Sequence, residues 1–233
     1  MKQALEQNGY AVIEPVLDSS DVDVLLGALG EVQSGKAALE RNGAVYGVRD
    51  LLRQAPGLAG FVQTHAVQNL VSSLLGPRGK MVRAIYFDKT PEANWKVAWH
   101  QDCTIAVKER ADISGFELWT TKAGIQHVRP PTELLERMVT LRFHLDDCDE
   151  TNGALKVITG SHLHGRLPES EIAGMVQRTP HVTCNVAKGG VLAMKPLILH
   201  ASSAGSQPVH RRVLHFEFSA DELPDGLEWY DAV

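Results

Sequence analysis

Trp99-His100-Gln101-Asp102 sets an imidazole and a carboxylate two positions apart. On a strand or at its end, positions i and i+2 point to the same side, so His100 and Asp102 can reach one point. Alone, an H-x-D pair is a weak signal, because a surface histidine beside an Asx turn gives the same string. A third candidate, His200, closes the apolar run Pro196-Leu197-Ile198-Leu199 and is followed by Ala201-Ser202-Ser203. Two histidines and one carboxylate on one face, with open positions opposite, is the ligand set of non-haem Fe(II) oxygenases. The plainer reading of His200 is a buried ring bonded to backbone at a strand end.

His210-Arg211-Arg212-Val213-Leu214-His215-Phe216-Glu217-Phe218 alternates from Arg211 onward. Arg211, Val213, His215 and Glu217 share one face, and Arg212, Leu214, Phe216 and Phe218 share the other. A charge leading into such a run is usually a solvated edge. Arg211, however, follows His200 by eleven positions, one hairpin away. A guanidinium there can hold a carboxylate in bidentate fashion, as a dicarboxylate chelating iron through its other end would require. A register slip of one residue would put Arg212 in that role instead. A similar alternation sets Thr140, Arg142, His144 and Asp146 against Val139, Leu141, Phe143 and Leu145. The polar set reads as a surface salt-bridge ladder or, turned inward, as a place where Arg142 grips a substrate anion. Arg83, Lys89, Trp95 and Trp99, on the approach to His100, are further substrate-contact candidates.

These residues need a scaffold. The chain has 233 residues and no repeat, low-complexity run or linker, which predicts a single domain over 1–233. Residues 1–80 read as mainly helical: Asp18-Ser19-Ser20-Asp21 offers caps, and Val22, Leu25, Leu26 and Leu29 keep one helix face. A similar pattern runs from Leu51 to Leu75. From 81 to 220 the texture is short strands punctuated by Gly, Pro, Asn and Asp, over 81–87, 138–145, 154–158, 181–186, 190–194 and 212–218. Short strands without alternating helices predict a mainly β core with flanking helices, of the barrel or jelly-roll kind. Asn152-Gly153 is a turn between two of them. Residues 103–137, with Trp119, Lys122, His127 and Arg129, form a long aperiodic insert directly after His100 and Asp102. They read as a lid that supplies substrate contacts.

Net charge is −5, with 44% hydrophobic residues. That gives no footprint for nucleic acid, and no run is long enough to span a membrane. Three cysteines without a C-x-x-C pair fit neither a disulfide framework nor a thiolate zinc site, and a cytoplasmic protein is expected.

Together, Trp99-His100-Gln101-Asp102, Asn152-Gly153-Ala154-Leu155 running into Gly160-Ser161-His162, His200-Ala201-Ser202 and Arg211 resemble the phytanoyl-CoA dioxygenase family of Fe(II)/2-oxoglutarate oxygenases. The resemblance covers roughly residues 80–220. It implies a double-stranded β-helix (jelly roll, cupin-like) and Fe(II) on His100, Asp102 and His200. It also implies 2-oxoglutarate anchored by Arg211 with help from Ser202, and O₂ as oxidant. Release of succinate and CO₂ with hydroxylation or desaturation of a small organic substrate follows from it. Halogenating relatives carry a small residue where Asp102 stands, so the resemblance points away from halogenation. Arg142, Arg83, Trp99 and Trp119 are the substrate contacts expected, and a monomer or homodimer the assembly. The competing reading is a cupin-like metal-dependent isomerase or hydrolase that uses the same three ligands without 2-oxoglutarate.

Overall fold

The computed structural model describes all residues except 31, 33–37, 42 and 208. The N-terminal part comprises α1 (Lys2–Asn8), β1 (Tyr10–Ile13), α2 (Ser19–Gly30), β2 (Ala38–Arg41), β3 (Ala44–Val48), α3 (Leu51–Gln54), α4 (Gly57–Val62) and α5 (His65–Leu75). There follow β4 (Lys80–Lys89), β5 (Val97–His100), β6 (Ile105–Val107), β7 (Glu117–Lys122), β8 (Ile125–Arg129) and α6 (Thr132–Arg137). The C-terminal part holds β9 (Val139–His144), β10 (Leu155–Val157), a 3₁₀ turn (Ser161–His164), α7 (Glu169–Arg178), β11 (Val182–Cys184), β12 (Val191–Met194), β13 (His200–Ser202) and β14 (Arg211–Ser219).

All strand pairs are antiparallel. The large sheet runs β1-β12-β9-β14-β4-β3-β2, and the small sheet β11-β10-β13-β5. Number β4, β5 and β9 to β14 in chain order. The large sheet then contains the first, eighth, third and sixth, and the small sheet the second, seventh, fourth and fifth. That interleaving is the double-stranded β-helix. It makes strands far apart in sequence direct neighbours, so β5 and β13 pair with His100 opposite His200.

The two faces of the large sheet do different things. Leu141, Phe143, Leu214, Phe216 and Phe218 point outward and pack with Val22, Leu25, Leu51, Leu58, Val67 and Val71 of the helices. On α2 the spacing of Val22, Leu25 and Leu29 puts all three in that core. Its start is capped by Asp18 Oδ1, which accepts from the Asp21 amide at 2.9 Å. Burial of this apolar face anchors the sheet, at about 25 cal/mol per Å² removed from water. The other face turns inward and is polar.

Two expectations need refinement. The segment 1–80 is mainly helical but also holds strands: β1 pairs with β12, and β2–β3 extend the sheet beyond β4. Strands of four or five residues form here because existing sheet edges pair with them, a tertiary effect that local periodicity does not carry. The insert 103–137 is no irregular loop. It folds into a three-stranded sheet, β6-β8-β7, followed by α6. Ala123 (φ 54) and Gly124 (φ 80) give the two-residue left-handed turn that closes the β7–β8 hairpin.

Candidate active site

A cavity of about 530 Å³ lies between the two sheets, walled by the inward face of β4, β9 and β14, by β5 and β13, and by the tip of the β7–β8 hairpin. His100, Asp102 and His200 meet on its wall, each offering one ligand atom, all within 4.8 Å of one another. Asp102 Oδ1 stands 3.7 Å from His100 Nε2, and Oδ2 stands 3.6 Å from His200 Nε2.

The hydrogen bonds settle which nitrogen faces the centre. His100 Nδ1 donates to Ala98 O at 2.8 Å, and His200 Nδ1 donates to Ile198 O at 2.9 Å. A carbonyl only accepts, so each Nδ1 carries a proton, and in the neutral ring each Nε2 then presents a lone pair. Two lone pairs and a carboxylate therefore converge, beyond hydrogen-bond distance and with no proton to share. A bound cation is what such a donor set fits. Burial pulls the His200 pKa down to about 4, which keeps the ring neutral, although Asp102 works against it. For Asp102 burial acts upward, but His200, His100, His215 and Arg83 outweigh it and hold the carboxyl at about 2. Asp102 and His200 are thus in their ligating protonation states at neutral pH.

Neighbouring motifs set these ligands. The Asp102 amide donates to Pro196 O at 2.9 Å, tying the end of β5 to the segment before His200. Ser161 Oγ donates to Ile158 O at 2.7 Å and accepts from the Leu199 amide at 2.8 Å, fixing the backbone that carries His200. Gln101 clasps Leu197 O, Gly165 O and the Leu167 amide, behind the three candidate ligand residues.

Arg211 also lines the cavity, and is buried. Its Nη1 donates to Gly153 O, its Nε has no hydrogen-bond partner, and no carboxylate pairs with it among the described residues. Arg212, one position on, faces out and grips Asp146 at 2.8 and 2.7 Å. The register expected for β14 is therefore the one observed. Lys89 is opposite Arg211 in the β4–β14 ladder and lies just behind the wall. Its Nζ donates to Ser202 Oγ at 3.2 Å and to Ser203 O. Burial, then Arg211, lowers the Lys89 pKa to about 7. Gly153 makes this crowding possible. Its φ is +82°, and a Cβ there would lie 2.6 Å from both Lys89 Nζ and Ser203 O. The Asn152-Gly153 turn is thus part of the pocket wall.

Arg142 faces inward, so the surface-ladder reading of its strand does not hold. Its Nη1 donates to His215 Nδ1 at 2.8 Å, leaving His215 Nε2–H directed at Glu217 Oε1, 3.5 Å away. Arg83 Nη1 pairs with the same Glu217 oxygen at 2.9 Å. Trp99 and Trp119 do not reach the cavity. Alternation on β5 turns Trp99 opposite to His100, against His181, with ring centroids 5.8 Å apart. Trp119 packs under Arg110 on the hairpin. The hairpin side chain that faces the cavity is Lys122. Arg49 and Tyr46, also in the lining, escaped the sequence reading. Tyr46 sits at a bulge, where Leu39 pairs with Gly47 but Glu40 pairs with Val45. The extra residue re-aims that side chain, and no local sequence signal marks it.

Comparison with family models matches residues 5–213 to the phytanoyl-CoA dioxygenase (PhyH) family. The chain belongs to the phytanoyl-CoA dioxygenase family. By class it is a non-haem iron, 2-oxoglutarate-dependent oxygenase. Among solved structures, AviO1 from Streptomyces viridochromogenes Tue57 superposes with a TM-score of 0.71 at 18% identity, covering 95% of this chain and 94% of that one. EctD from S. alaskensis, crystallised with 2-oxoglutarate and 5-hydroxyectoine, gives 0.72 at 17% identity, over 94% of this chain and 74% of that one. SnoN, a non-haem α-ketoglutarate-dependent epimerase from nogalamycin biosynthesis, gives 0.67 at 18%, over 99% and 91%. At these identities the likeness is one of fold. No curated protein matches the sequence. Among the described residues no helix is long and apolar enough to cross a membrane.

Proposed function

We propose that this family member is a dioxygenase that hydroxylates or desaturates a small organic substrate, converting 2-oxoglutarate to succinate and CO₂. The observation that carries the reading is the pairing of two unsatisfied sets in one cavity. Three metal-ligand atoms converge on one point, and Arg211 with Lys89 stands beside them with no carboxylate of the described chain paired to either. His100, Asp102 and His200 would hold Fe(II). Arg211 and Ser202 would hold the distal carboxylate of 2-oxoglutarate, with Lys89 adding charge from behind. Bound iron with 2-oxoglutarate supplies the O₂ activation and oxidising power needed to break a substrate C–H bond.

The chain's own residues then have definite tasks. The Nδ1–H bonds to Ala98 O and Ile198 O aim both rings. Lys89, by donating to Ser202 Oγ, leaves the serine proton free to turn toward a carboxylate. The bond from Arg211 to Gly153 O fixes one edge of the guanidinium, the Cys148 thiol is a further polar neighbour, and Nε is left without a partner. Asp102 fills the place a halide would need, which supports hydroxylation or desaturation over halogenation. The neutral His215, held between Arg142 and Glu217, keeps the inner wall polar without adding a further charge. The free thiols Cys103, Cys148 and Cys184 fit a reducing cytoplasm.

The test is an anaerobic titration of 2-oxoglutarate into protein loaded with Fe(II). Bidentate chelation by the 2-oxo acid gives a weak charge-transfer band in the visible. The band is expected in the wild type, and is expected to vanish at equal ligand concentration in Arg211→Ala. Asp102→Ala should release no succinate above background. Iron binding without the band would sink the reading in favour of a metal-dependent isomerase or hydrolase, which has no use for Arg211.

A further inference from the structure

The proposed iron and 2-oxoglutarate sites leave part of the cavity's charge unexplained. Arg49 follows β3, Arg83 lies on β4, and Lys122 ends β7 at the hairpin tip; all three line the cavity. They come from separate segments, so their convergence is a property of the fold. Among the described residues, the one carboxylate that lines the cavity besides Asp102 is Glu217, already bonded to Arg83 at 2.9 Å and facing His215; Asp231 also acts on Arg83, from outside the lining. The side chains of Arg49 and Lys122 have no hydrogen bond or ion pair among the described residues. Both are half-buried. Burial lowers the pKa of Arg49, and Arg83 adds to the effect. Burial also lowers that of Lys122, with Arg83 and Arg49 contributing and with Asp102 and Glu217 opposing. Lys122 thus feels both arginines, and Arg49 feels Arg83, with Glu217 opposing. Gathering unpaired like charges in a partly desolvated place costs stability unless an anion arrives to neutralise them.

The opposite character appears alongside. Tyr46, re-aimed by its bulge, lies against Trp95 with ring centroids 4.6 Å apart, and Phe87 completes an apolar wall. Gly47 packs closely opposite Phe87: a Cβ would press on Tyr86 O at 3.1 Å, Leu39 at 3.2 Å and the Phe87 ring at 3.3 Å.

We propose that Arg49 and Lys122, backed by Arg83, are the docking point for an anionic group on the primary substrate, a carboxylate or a phosphate, whose apolar body lies along Tyr46, Phe87 and Trp95. The proposal rests on the iron and 2-oxoglutarate reading, because that reading assigns Arg211 and Lys89 to the co-substrate and leaves these cations for another ligand. The substrate is then an organic acid or phosphate ester with an apolar body, and its reacting carbon lies between the docking point and the metal ligands.

The test uses simple anions, so that it does not depend on guessing the body. Protein loaded with Fe(II) and saturating 2-oxoglutarate is kept under argon. Its Tm is followed against acetate, against sulfate, and against sodium chloride at equal ionic strength. Acetate or sulfate is expected to raise the wild-type Tm saturably above the chloride control. The double variant Arg49→Gln/Lys122→Gln is expected to lose at least tenfold in apparent affinity. Preference for acetate identifies a carboxylate; preference for sulfate identifies a tetrahedral dianion such as phosphate. Without added anion the double variant should melt at the wild-type temperature or above it, because repulsion has been removed. An equal anion response in both proteins, or no response beyond chloride, overturns the proposal. So does a clearly lower Tm of the unliganded variant, which would mean that the two cations are structural. The visible 2-oxoglutarate band is read in the same samples. Its absence from the wild type overturns the cofactor reading, whereas an intact band without an anion response overturns only the docking point.

Discussion

Replacing Gly153 by alanine tests whether the turn in Asn152-Gly153-Ala154 is part of the co-substrate pocket. Two penalties are separable. The backbone at φ +82° is left-handed, which costs a non-glycine residue about 1–2 kcal/mol. The new Cβ would also sit 2.6 Å from Ser203 O and 2.6 Å from Lys89 Nζ. Ser203 O is backbone and yields only if the end of β13 moves. Lys89 Nζ is the end of a flexible chain and will swing away, giving up its 3.2 Å bond to Ser202 Oγ. The carbonyl that receives Arg211 Nη1 belongs to the same residue, so the anchoring guanidinium shifts as well. Losing one charge-assisted hydrogen bond costs about 1.5–3 kcal/mol, which is about 10- to 100-fold in the Kd for 2-oxoglutarate. Fe(II) binding should change less than about 3-fold, since the metal ligands lie on β5 and β13 and on the Asp102 turn. Gly43→Ala is the control: φ is +78° but nothing lies within 4 Å of its Cβ, so it pays the backbone penalty alone. Anaerobic titration of the charge-transfer band gives the 2-oxoglutarate Kd, and chemical denaturation gives stability. If Gly153→Ala binds 2-oxoglutarate like the wild type, or behaves like Gly43→Ala throughout, the turn is only a turn.

Lys89 should make 2-oxoglutarate binding pH-dependent. Its pKa of about 7 means that the ligand-free side chain loses its proton as pH rises through neutrality, while a bound dianion favours the charged form. Affinity is therefore expected to fall several-fold between about pH 6.5 and 8.5; a Lys89→Met variant should bind more weakly at low pH and show a flat profile. Arg212→Leu should cost about 1 kcal/mol in denaturation, for its partly exposed pair with Asp146, and leave the 2-oxoglutarate Kd unchanged. Parallel losses in Arg212→Leu and Arg211→Ala would contradict the observed register. Glu217→Gln removes the carboxylate from a buried pair with Arg83, and should destabilise the protein by about 3 kcal/mol or more. A Glu217→Gln protein as stable as the wild type would show that solvent in the cavity already screens that pair.

The three candidate ligand residues were legible as a set, although each alone is a weak signal. His100 and Asp102 share a strand face by spacing, and His200 interrupts an apolar run where a polar ring needs a reason. Arg211 was legible because the alternation of β14 distinguishes it from Arg212. What escaped is what only pairing decides. Arg49 follows a strand that the N-terminal sequence does not announce, since β3 forms by adding to β4. Tyr46 faces the cavity because of a bulge. Trp119 looked the more promising hairpin residue, but closure of the turn at Ala123-Gly124 carries Lys122 to the tip. Arg142 illustrates a further ambiguity. An alternating polar face reads the same whether it meets bulk water or a cavity enclosed by a second sheet.

That ambiguity explains how the charge is distributed. The chain carries 23 basic and 28 acidic residues, yet five of the basic side chains and only two of the acidic ones line the cavity. An acidic protein has gathered cations on the inside of its barrel, where they repel one another at short range and in a partly desolvated medium. Their mutual support cannot be the reason for that arrangement, since each weakens the next; ligands that bring negative charge can be. The same β14 strand therefore answers to opposite demands on its two faces. On the outer face Phe216, fully buried among the helices, contributes stability, and Phe216→Ala should cost about 3–5 kcal/mol. On the inner face, stability is given up for binding. There, substitutions that remove an unpaired cation should leave the unliganded fold as stable or more so while weakening the ligand that cation serves.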